Sequence, residues 1–338
     1  MDLPPKILRR IILAPAFVVV TIVAVTALPI ELIVAAFASR YVPGRWRPLR
    51  LAWFAVLWMV IESVVIVALF GLWLASGFGS RIGTEQFQDA HYRLIAWFLR
   101  MTVGSARRTF GLKITIDEPL PAEGAHRPLL VFARHAGPGD SFLLVDALLN
   151  RAGRRPSIVL KDTLQWDPAI DIALSRLPSR FVSTHTRAGT AAIDAIAALA
   201  ARLGPSDALI IFPEGGNFTP GRRTSAIEKL RAAGLAEFAS RASAMTHLLP
   251  PKPDGVLTAI RNAPDAMILL VGHAGLETMS TLADIWYGLH MDIMVRTRYW
   301  SALASDLPAG EPELQEWLYD QWAEMNTWLD GSGSSPAT

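Results

Sequence analysis

The chain has 338 residues, of which 51% are hydrophobic, and its mean hydropathy is +0.31. This composition is more apolar than that of most soluble proteins and allows one large domain plus a membrane-associated segment. A net charge of +2 is too small to indicate a nucleic-acid partner, while a pI near 9.0 is compatible with anionic lipid head groups. The absence of cysteine excludes disulfides, thiolate metal sites and a thiol nucleophile.

Two long apolar runs, residues 11–38 and 51–75, lie near the start of the chain. At about 1.5 Å of rise per residue, each would cross a hydrocarbon core of roughly 30 Å if it were fully helical. Basic residues before the first run resemble the start of a secretory signal peptide, but the run is much longer than a signal and a second run follows. We therefore predict that residues 1–80 form a two-helix membrane anchor.

The arginines beside these runs bear on how the anchor meets the membrane. Arg9 and Arg10 flank the start of the first run, and four arginines lie in the connection at residues 40–50. The positive-inside rule places both groups on the same face, whereas two ordinary spans would place them on opposite faces. Full spans and a hairpin that enters a single leaflet are both alternatives. Glu31 and Glu62, one in each run, would be protonated, paired or near the interface.

Residues 86–108 mix large apolar side chains with arginines. This composition is typical of a helix that lies at a membrane interface with its arginines toward phosphates. An amphipathic helix that packs on a globular domain has the same composition. We predict a helix here, followed by a strand at residues 112–116 and a turn at 117–123.

The stretch at residues 129–140 reads LLVFARHAGPGD. It begins as an apolar run typical of a buried strand and ends in a turn that carries His135 and Asp140. Imidazole titrates near neutral pH, so His135 is a candidate general base, and a carboxylate five residues later can hold its other ring nitrogen. The alternative is a structural histidine that caps the next helix.

Strands and helices alternate after Asp140, which predicts an α/β domain with a mostly parallel sheet flanked by helices. The predicted helices are at 141–149, 190–203 and 311–329, and the predicted strands are at 157–160 and 181–183, from 208 onwards, and at 266–271 and 292–297. We interpret His273 as an ordinary polar residue at a strand end. Residues 331–338 are expected to form a disordered tail.

The strand that begins at residue 208 runs into a second polar turn, and the stretch reads ALIIFPEGGNF. Glu214 and two glycines lie where this strand ends. Strand ends present functional groups in α/β folds, so two strands that end in polar, glycine-containing turns can line one cleft.

At these two turns the sequence resembles the glycerolipid acyltransferase family, which acylates glycerol phosphate and lysophospholipids. The family's His-x-x-x-x-Asp block is matched by His135 and Asp140, and its Phe-Pro-Glu-Gly block by residues 212–215. A stretch with two prolines at 247–252 is similar to the family's fourth block. The resemblance covers most of residues 90–330.

This resemblance implies transfer of a fatty acyl group from a thioester to a lysophospholipid hydroxyl. His135 would take the hydroxyl proton, and Asp140 would orient the imidazole and stabilise the imidazolium. The acceptor's own hydroxyl would replace an enzyme nucleophile, in line with the absence of cysteine. Backbone amides at residues 137–139, or at Gly215 and Gly216, would bind the oxyanion or a phosphate.

Further expected substrate contacts come from the family's second block, a lysine followed by a Pro-x-x-Gly-like turn and an arginine. Lys161 and Arg187 match the two cations, although Asp171 stands where the family has glycine. As single residues, both cations are equally typical of a solvated surface. Glu214 is expected to hold the acceptor site together through hydrogen bonds.

One departure from the family concerns the acceptor. The Phe-Pro-Glu-Gly block usually continues with Thr-Arg, whose arginine is associated with the acceptor's phosphate, whereas this chain has Gly216 and Asn217. Asparagine carries no charge, so the bidentate phosphate contact of an arginine is lost. Arg222 and Arg223 are candidates to reach the same place. Alternatively, the acceptor is a diester lysophospholipid or a glycolipid.

The overall prediction is an acyltransferase domain at residues 81–330 that works at the cytosolic face of a phospholipid membrane. Its donor would be acyl-coenzyme A or acyl carrier protein, with no metal and no further cofactor. Two alternatives stay open: a catalytically silent lipid-binding or scaffold protein with the same fold, and a thioester hydrolase that uses water in place of the lysolipid.

Overall fold

A computed structural model describes residues 3–117, 126–182, 188–277, 286 and 292–332. Arg187, most of the turn predicted at 117–123 and residues 333–338 of the predicted tail lie outside these ranges. Within the ranges, each predicted helix and strand is present, with ends that differ by a few residues.

The chain begins with a hairpin of two long helices, α1 (Lys6–Ala38, with a π-helical turn at Arg9–Leu13) and α2 (Arg47–Ala75). Both are long and apolar enough to cross a membrane, by length and composition. The helices pack side by side, and the Ser63 hydroxyl of α2 donates to the Thr21 hydroxyl of α1 at 2.9 Å. Most apolar side chains of α1 are exposed, whereas α2 buries one face.

Helix α2 buries that face against α3 (Glu85–Phe110). Trp58 of α2 meets Phe98 of α3 edge to face, with ring centroids 5.6 Å apart. Glu62 of α2 is buried and accepts a hydrogen bond from the Trp58 indole at 2.8 Å, so it is paired. α3 also packs on the domain that follows, where the Asn150 side chain donates to the Ala96 carbonyl of α3 at 3.0 Å, as one of the two alternatives for this amphipathic helix predicts. A position of α3 at a membrane interface stays a prediction.

The rest of the chain forms an α/β domain. Its strands are β1 (Lys113–Ile116), β2 (Leu129–Ala133), β3 (Arg155–Lys161), β4 (Arg180–Val182), β5 (Asp207–Ile211), β6 (Met267–Ala274) and β7 (Met294–Leu303). Its helices are α4 (Pro138–Asp146), α5 (Pro168–Leu174), α6 (Ala188–Ala200), α7 (Pro220–Ala232), α8 (Ala236–Ala244), α9 (Pro253–Asn262) and α10 (Glu311–Gly331). A π-helical turn at Ala147–Arg151 extends α4, and 3-10 turns lie at Asp162–Trp166 and Ala304–Asp306.

Neighbouring strands of the sheet lie in the order β1-β7-β6-β2-β5-β3-β4. β6 and β7 pair antiparallel, and the other pairs are parallel. The prediction of a mostly parallel sheet flanked by helices, preceded by two apolar helices, is therefore confirmed. β7 extends beyond the predicted strand at 292–297 because it pairs with β6 along the whole of β6.

The central strands are buried on both faces, and every residue of β2 and β6 is buried. Strands covered by helices on both sides read as continuous apolar runs, and each fully buried Leu or Ile stabilises the fold by about 1.5–3 kcal/mol. On one face Trp322 of α10 belongs to the same cluster as Leu130 and Ile268. On the other face Leu144 and Leu148 follow the β2 turn.

This sheet order determines which loops can meet. β2, β5 and β3 are consecutive parallel neighbours, so their carboxyl ends lie at one edge of the sheet. His135 follows β2, Glu214 follows β5 and Lys161 ends β3. The two turns singled out in the sequence are therefore adjacent.

Candidate active site

His135 and Asp140 face each other in the turn after β2. Nδ1 of the imidazole lies 3.0 Å from Oδ2 of the carboxylate and 3.2 Å from Oδ1. Asp140 lies in the first turn of α4, and a carboxylate at this position reaches back toward the residues before the helix. The five-residue spacing therefore gives the contact that the sequence predicts.

Backbone amides hold the Asp140 carboxylate in place. Its Oδ2 accepts from the N–H of Ala136 at 2.7 Å and from that of Gly137 at 3.0 Å. Burial raises the pKa of the Asp140 carboxyl, but hydrogen bonds and charge from His135 and His273 outweigh burial and hold this pKa well below its ordinary value. Asp140 is therefore ionised.

The ionised carboxylate determines which nitrogen of His135 carries hydrogen. A carboxylate only accepts hydrogen bonds, so Nδ1 is the donor, and in the neutral ring Nε2 carries the lone pair. The His135 side chain is 24% exposed, whereas that of Asp140 is 2% exposed. Nε2 has no hydrogen-bond partner among the described residues, and the ring packs against Phe212 with centroids 4.5 Å apart. Nε2 is thus available to take a proton from a hydroxyl group.

Glu214 connects the two turns from a buried position. Its Oε1 accepts from the N–H of His135 and its Oε2 from the N–H of Leu249, both at 2.9 Å. Burial raises the pKa of Glu214 to about 7, although both hydrogen bonds and the charge of Arg134 oppose the rise. Glu214 joins the His135 turn, the turn after β5 and the segment before α9 into one unit.

The turn after β5 folds over the His135 backbone. The Phe218 N–H donates to the His135 carbonyl at 2.9 Å, and the Gly215 N–H donates to the Phe212 carbonyl at 3.0 Å. Gly215 has φ of +69°, a left-handed conformation that favours glycine. The Gly216 N–H has no acceptor among the described residues. Of the two glycine amides, the Gly216 amide is therefore the one available to an anion.

The two arginines expected near Asn217 differ in their surroundings. Arg222 is exposed, and its NH1 donates to the Asn217 carbonyl at 3.0 Å and also to the Asn217 side-chain oxygen. Arg223 points elsewhere: its Nε donates to the Met245 carbonyl and its NH2 to the Ser243 carbonyl, both at 2.6 Å. Arg222 thus reaches the glycine turn, and Arg223 instead caps the end of α8.

Lys161 and Arg187 match the cations of the family's second block, and nothing in the described residues connects them to the His135–Asp140 pair. Lys161 ends β3 and is exposed, at the same edge of the sheet as His135 but two strands away from β2. Arg187 lies outside the described residues. The expectation that Lys161 and Arg187 bind substrate stays a prediction.

His273 is a buried residue next to the pair that the sequence analysis missed. At the end of β6, its Nε2 lies 3.5 Å from Oδ2 of Asp140 and 3.3 Å from the Arg134 carbonyl oxygen. The interpretation of His273 as an ordinary polar residue does not anticipate this contact. The sequence carries a signal, because an apolar run leads to a histidine at the end of β6 as it does in the turn after β2. Only the strand order makes the two positions neighbours.

Arg134 also escaped the sequence analysis. It is buried directly before His135, and its NH1 contacts the His273 carbonyl and, at 2.6 Å, Oε1 of Glu277. Its NH2 donates to the His247 carbonyl at 3.2 Å. Burial raises the pKa of Glu277, but the Arg134 charge outweighs burial and lowers this pKa. This ion pair ties the ends of β2 and β6 together behind the imidazole.

The described part of the chain contains no group of three or more His, Asp or Glu side chains that could hold a metal ion. His135 and His273 both turn toward Asp140, so the carboxylate serves the two imidazoles as an acceptor. The expected absence of a metal and of a cofactor other than the acyl donor stays a prediction.

Comparison with known proteins bears on this geometry. Residues 111–264 match the family model named Acyltransferase, and the matched span includes both turns. No curated protein matches the chain.

One solved structure with a similar arrangement is the 1-acyl-sn-glycerophosphate (LPA) acyltransferase PlsC from Thermotoga maritima. It is 14% identical over 82% of this chain and 98% of that chain, with a TM-score of 0.48. The His135–Asp140 pair and the Phe-Pro-Glu-Gly turn both lie inside the span that the family model matches, so residues 111–264 form an acyltransferase domain.

Proposed function

We propose that the protein is a membrane-bound O-acyltransferase that moves a fatty acyl group from an acyl thioester to the hydroxyl of a lysophospholipid. The observation that carries the proposal is the His135–Asp140 pair, in which a buried carboxylate holds Nδ1 of a partly exposed imidazole. An alcohol is a weak nucleophile at neutral pH until a base takes its proton, and Nε2 of His135 is available for that role.

In the proposed reaction, Nε2 of His135 takes the acceptor's hydroxyl proton while the hydroxyl oxygen attacks the thioester carbonyl. The new C–O bond forms, and Asp140 stabilises the imidazolium. When the tetrahedral intermediate collapses, the C–S bond breaks and the imidazolium returns the proton to the thiolate. These steps need no enzyme nucleophile, which fits a chain without cysteine.

The test is acyl transfer by the purified full chain in detergent, from labelled oleoyl-coenzyme A and oleoyl-carrier protein to a panel of lysolipids. We expect transfer to a lysolipid and a loss of about 10²- to 10⁴-fold in the rate for His135→Ala. Free fatty acid formed equally with and without lysolipid would identify a hydrolase. Lipid binding without His135-dependent turnover from either donor would support the silent binding protein instead.

The membrane part of the proposal is that the helix hairpin enters one leaflet, with residues 1–80 as the anchor and 81–330 as the catalytic domain. Both ends of the hairpin contact that domain. At the start of α1, Arg9 NH2 lies 3.2 Å from Asp171, and Arg10 Nε lies 3.2 Å from the other oxygen of this carboxylate. Asp171 belongs to α5 of the domain.

The other end of the hairpin is tied to the domain in the same way. Arg50 NH1 donates to the Thr109 carbonyl at 3.1 Å, and the rings of Phe54 and Phe110 lie 5.0 Å apart. A pair of full spans would separate the two ends by a hydrocarbon core of roughly 30 Å. Contact of both ends with one domain supports the single-leaflet hairpin, and the positive-inside rule then favours a cytosolic domain.

The cysteine-free chain allows a clean test of this arrangement. Single-cysteine variants at exposed Pro43, in the helix connection, and at exposed Ser225, on α7, would be treated with an impermeant maleimide on sealed vesicles of known orientation. We expect both sites to react from the cytosolic side. Labelling of Pro43→Cys from the opposite side would show that the helices span the bilayer.

A further inference from the structure

We propose that Lys252, together with Arg222, binds the phosphate group of the acyl acceptor above the Gly215–Gly216 turn. The inference rests on the proposed function and names the group that replaces the arginine missing at Asn217. Lys252 lies in the segment before α9, which the sequence analysis did not connect with the acceptor.

Lys252 lies directly against Gly215. A methyl group placed on Gly215 would be 2.6 Å from the Lys252 ammonium nitrogen, so a side chain at this position would displace the lysine. The Lys252 backbone N–H donates to the Pro213 carbonyl at 2.9 Å, which holds the Lys252 backbone beside the turn. Among the described residues the ammonium group, which is exposed, has no hydrogen-bond or ion-pair partner.

Arg222 approaches the neighbouring glycine from its own side. A methyl group placed on Gly216 would be 3.4 Å from Arg222 NH1. The same NH1 is held by the backbone and side-chain oxygens of Asn217, which leaves the other guanidinium nitrogens for a ligand. Asn217 therefore orients Arg222, an arginine from the next helix, beside Gly216.

The charges on this turn favour an anion. Within the described ranges, no carboxylate oxygen lies within ion-pairing distance of Lys252 or Arg222. Glu214 lies beneath the turn with both oxygens occupied by backbone amides, and the Gly216 N–H lacks an acceptor. Two cations and one amide around glycines that permit close approach suit a phosphomonoester, which brings more negative charge than a diester.

The turn is also close enough to His135 for a phosphate bound there to belong to the acceptor. The residue before Gly215 accepts from the His135 N–H, and the Phe218 N–H donates to the His135 carbonyl. Hydrogen bonds from residues on both sides of the glycine turn thus connect it to the backbone of His135. In a glycerol phosphate the phosphate and the free hydroxyl are separated by only a few bonds, which matches this arrangement.

The test compares Lys252→Met and Arg222→Met with Lys229→Met, which removes the same charge from an exposed position on α7. Acceptors would be oleoyl-lysophosphatidate, lysophosphatidylcholine and monooleoylglycerol, which carry a phosphomonoester, a phosphodiester and no phosphate. Donors would be oleoyl-coenzyme A and the S-oleoyl thioester of N-acetylcysteamine, which has no phosphate. KM and kcat would be measured separately for each substrate.

We expect the KM for lysophosphatidate to rise about 10-fold or more in Lys252→Met and in Arg222→Met, the effect of losing a charge-assisted hydrogen bond. The KM for both donors and for monooleoylglycerol should stay unchanged, and Lys252→Arg should restore most of the affinity. Lys229→Met should match the wild type in all assays.

Two outcomes would overturn the inference while leaving the proposed function intact. In one, the variants weaken only oleoyl-coenzyme A, which would assign the cations to the donor's phosphates. In the other, active variants keep the wild-type KM for lysophosphatidate. If the wild type shows no turnover, the proposed function fails, and equilibrium binding of labelled lysophosphatidate to His135→Ala, with and without Lys252→Met, still decides whether this turn binds phosphate.

Discussion

Two histidine–carboxylate pairs in this molecule have nearly the same nitrogen–oxygen distance, but they differ in which of the two side chains is buried. Nδ1 of His135 lies 3.0 Å from Asp140, and Nε2 of His247 lies 2.9 Å from Asp330. The His135 side chain is 24% exposed and that of Asp140 is 2% exposed, whereas the His247 side chain is 5% exposed and that of Asp330 is 55% exposed. A short contact alone therefore does not distinguish the pair that we propose to be catalytic from a pair that only holds segments together.

The difference lies in which partner is buried. Where the carboxylate is buried and the ring is exposed, the carboxylate is locked in one position and the free ring nitrogen can meet a substrate. Where the ring is buried, both nitrogens are out of reach, and the contact serves to hold segments together. His247 does so: its backbone N–H donates to Asn326 of α10 at 3.0 Å while its ring contacts Asp330 of the same helix.

The largest effect is expected at Asp140. Asp140→Asn replaces a charged carboxylate, which accepts from three N–H groups at 2.7–3.0 Å, with an amide that carries its own N–H group. We expect the rate of acyl transfer to fall by about 10²- to 10⁴-fold, because the imidazolium loses its counter-charge and the ring its orientation. Transfer rates and melting temperature would be measured together, and a folded variant with near wild-type rates would contradict the assignment.

Glu214 is a third carboxylate near these turns, and it is buried without a charged partner at hydrogen-bond distance. Its pKa is raised to about 7 from an ordinary 4.5, so the folded protein holds the proton at pH values where the unfolded chain has lost it. The raised pKa stabilises the folded protein fully below pH 4.5. This contribution to the free energy of unfolding, about 3 kcal/mol, is lost as pH rises through 7.

Glu214→Gln should remove that pH dependence, because an amide does not titrate. The measurement is the difference in melting temperature between wild type and variant across pH 4.5–8, which cancels the other titrating groups. We expect the melting temperature of the variant to increase relative to that of the wild type as pH rises. A difference that stays constant with pH would contradict the raised pKa.

His273 is a second imidazole beside the Asp140 carboxylate. His273→Leu removes the donor 3.5 Å from Oδ2 and leaves Asp140 more basic toward His135. We expect kcat/KM to fall roughly 5-fold, about 1 kcal/mol. The acid limb of its pH profile should also move to higher pH. A uniform loss at every pH would instead indicate a purely structural role, and His273→Asn tests whether a smaller donor restores the profile.

The smallest effect is expected at the structural pair. Asp330→Asn removes a carboxylate that is 55% exposed, and exposed ion pairs contribute only about 0–1 kcal/mol to stability. We expect a slightly lower melting temperature and an unchanged rate of acyl transfer. A large loss of activity would show that the exposure argument does not separate the two pairs.

Much of this architecture can be predicted from the sequence, because its signals are local. Continuous apolar runs at β2 and β5 indicate strands buried on both faces, and the glycine-containing turns after them indicate strand ends. The His135–Asp140 contact spans one helix start, so a five-residue spacing suffices to predict it. The two apolar helices and the mostly parallel sheet follow from the same kinds of pattern.

Position along a helix decided between the two arginines. Arg222 and Arg223 are adjacent in sequence and equally suitable as phosphate ligands by composition. Successive side chains on a helix point about 100° apart. α7 therefore presents Arg222 to Asn217 and Arg223 to the carbonyls at the end of α8.

Local sequence suffices to predict the fold class, the two apolar helices and the pairing of His135 with Asp140, because each depends on residues within one element or one turn. Three other features could not be predicted in this way: His273 lies beside Asp140, Lys252 lies over Gly215, and both ends of the helix hairpin contact one domain. These contacts join residues far apart in the chain. They follow from the order of the strands and the packing of the helices on them, since free energy gained by burial depends on apolar area and not on sequence separation.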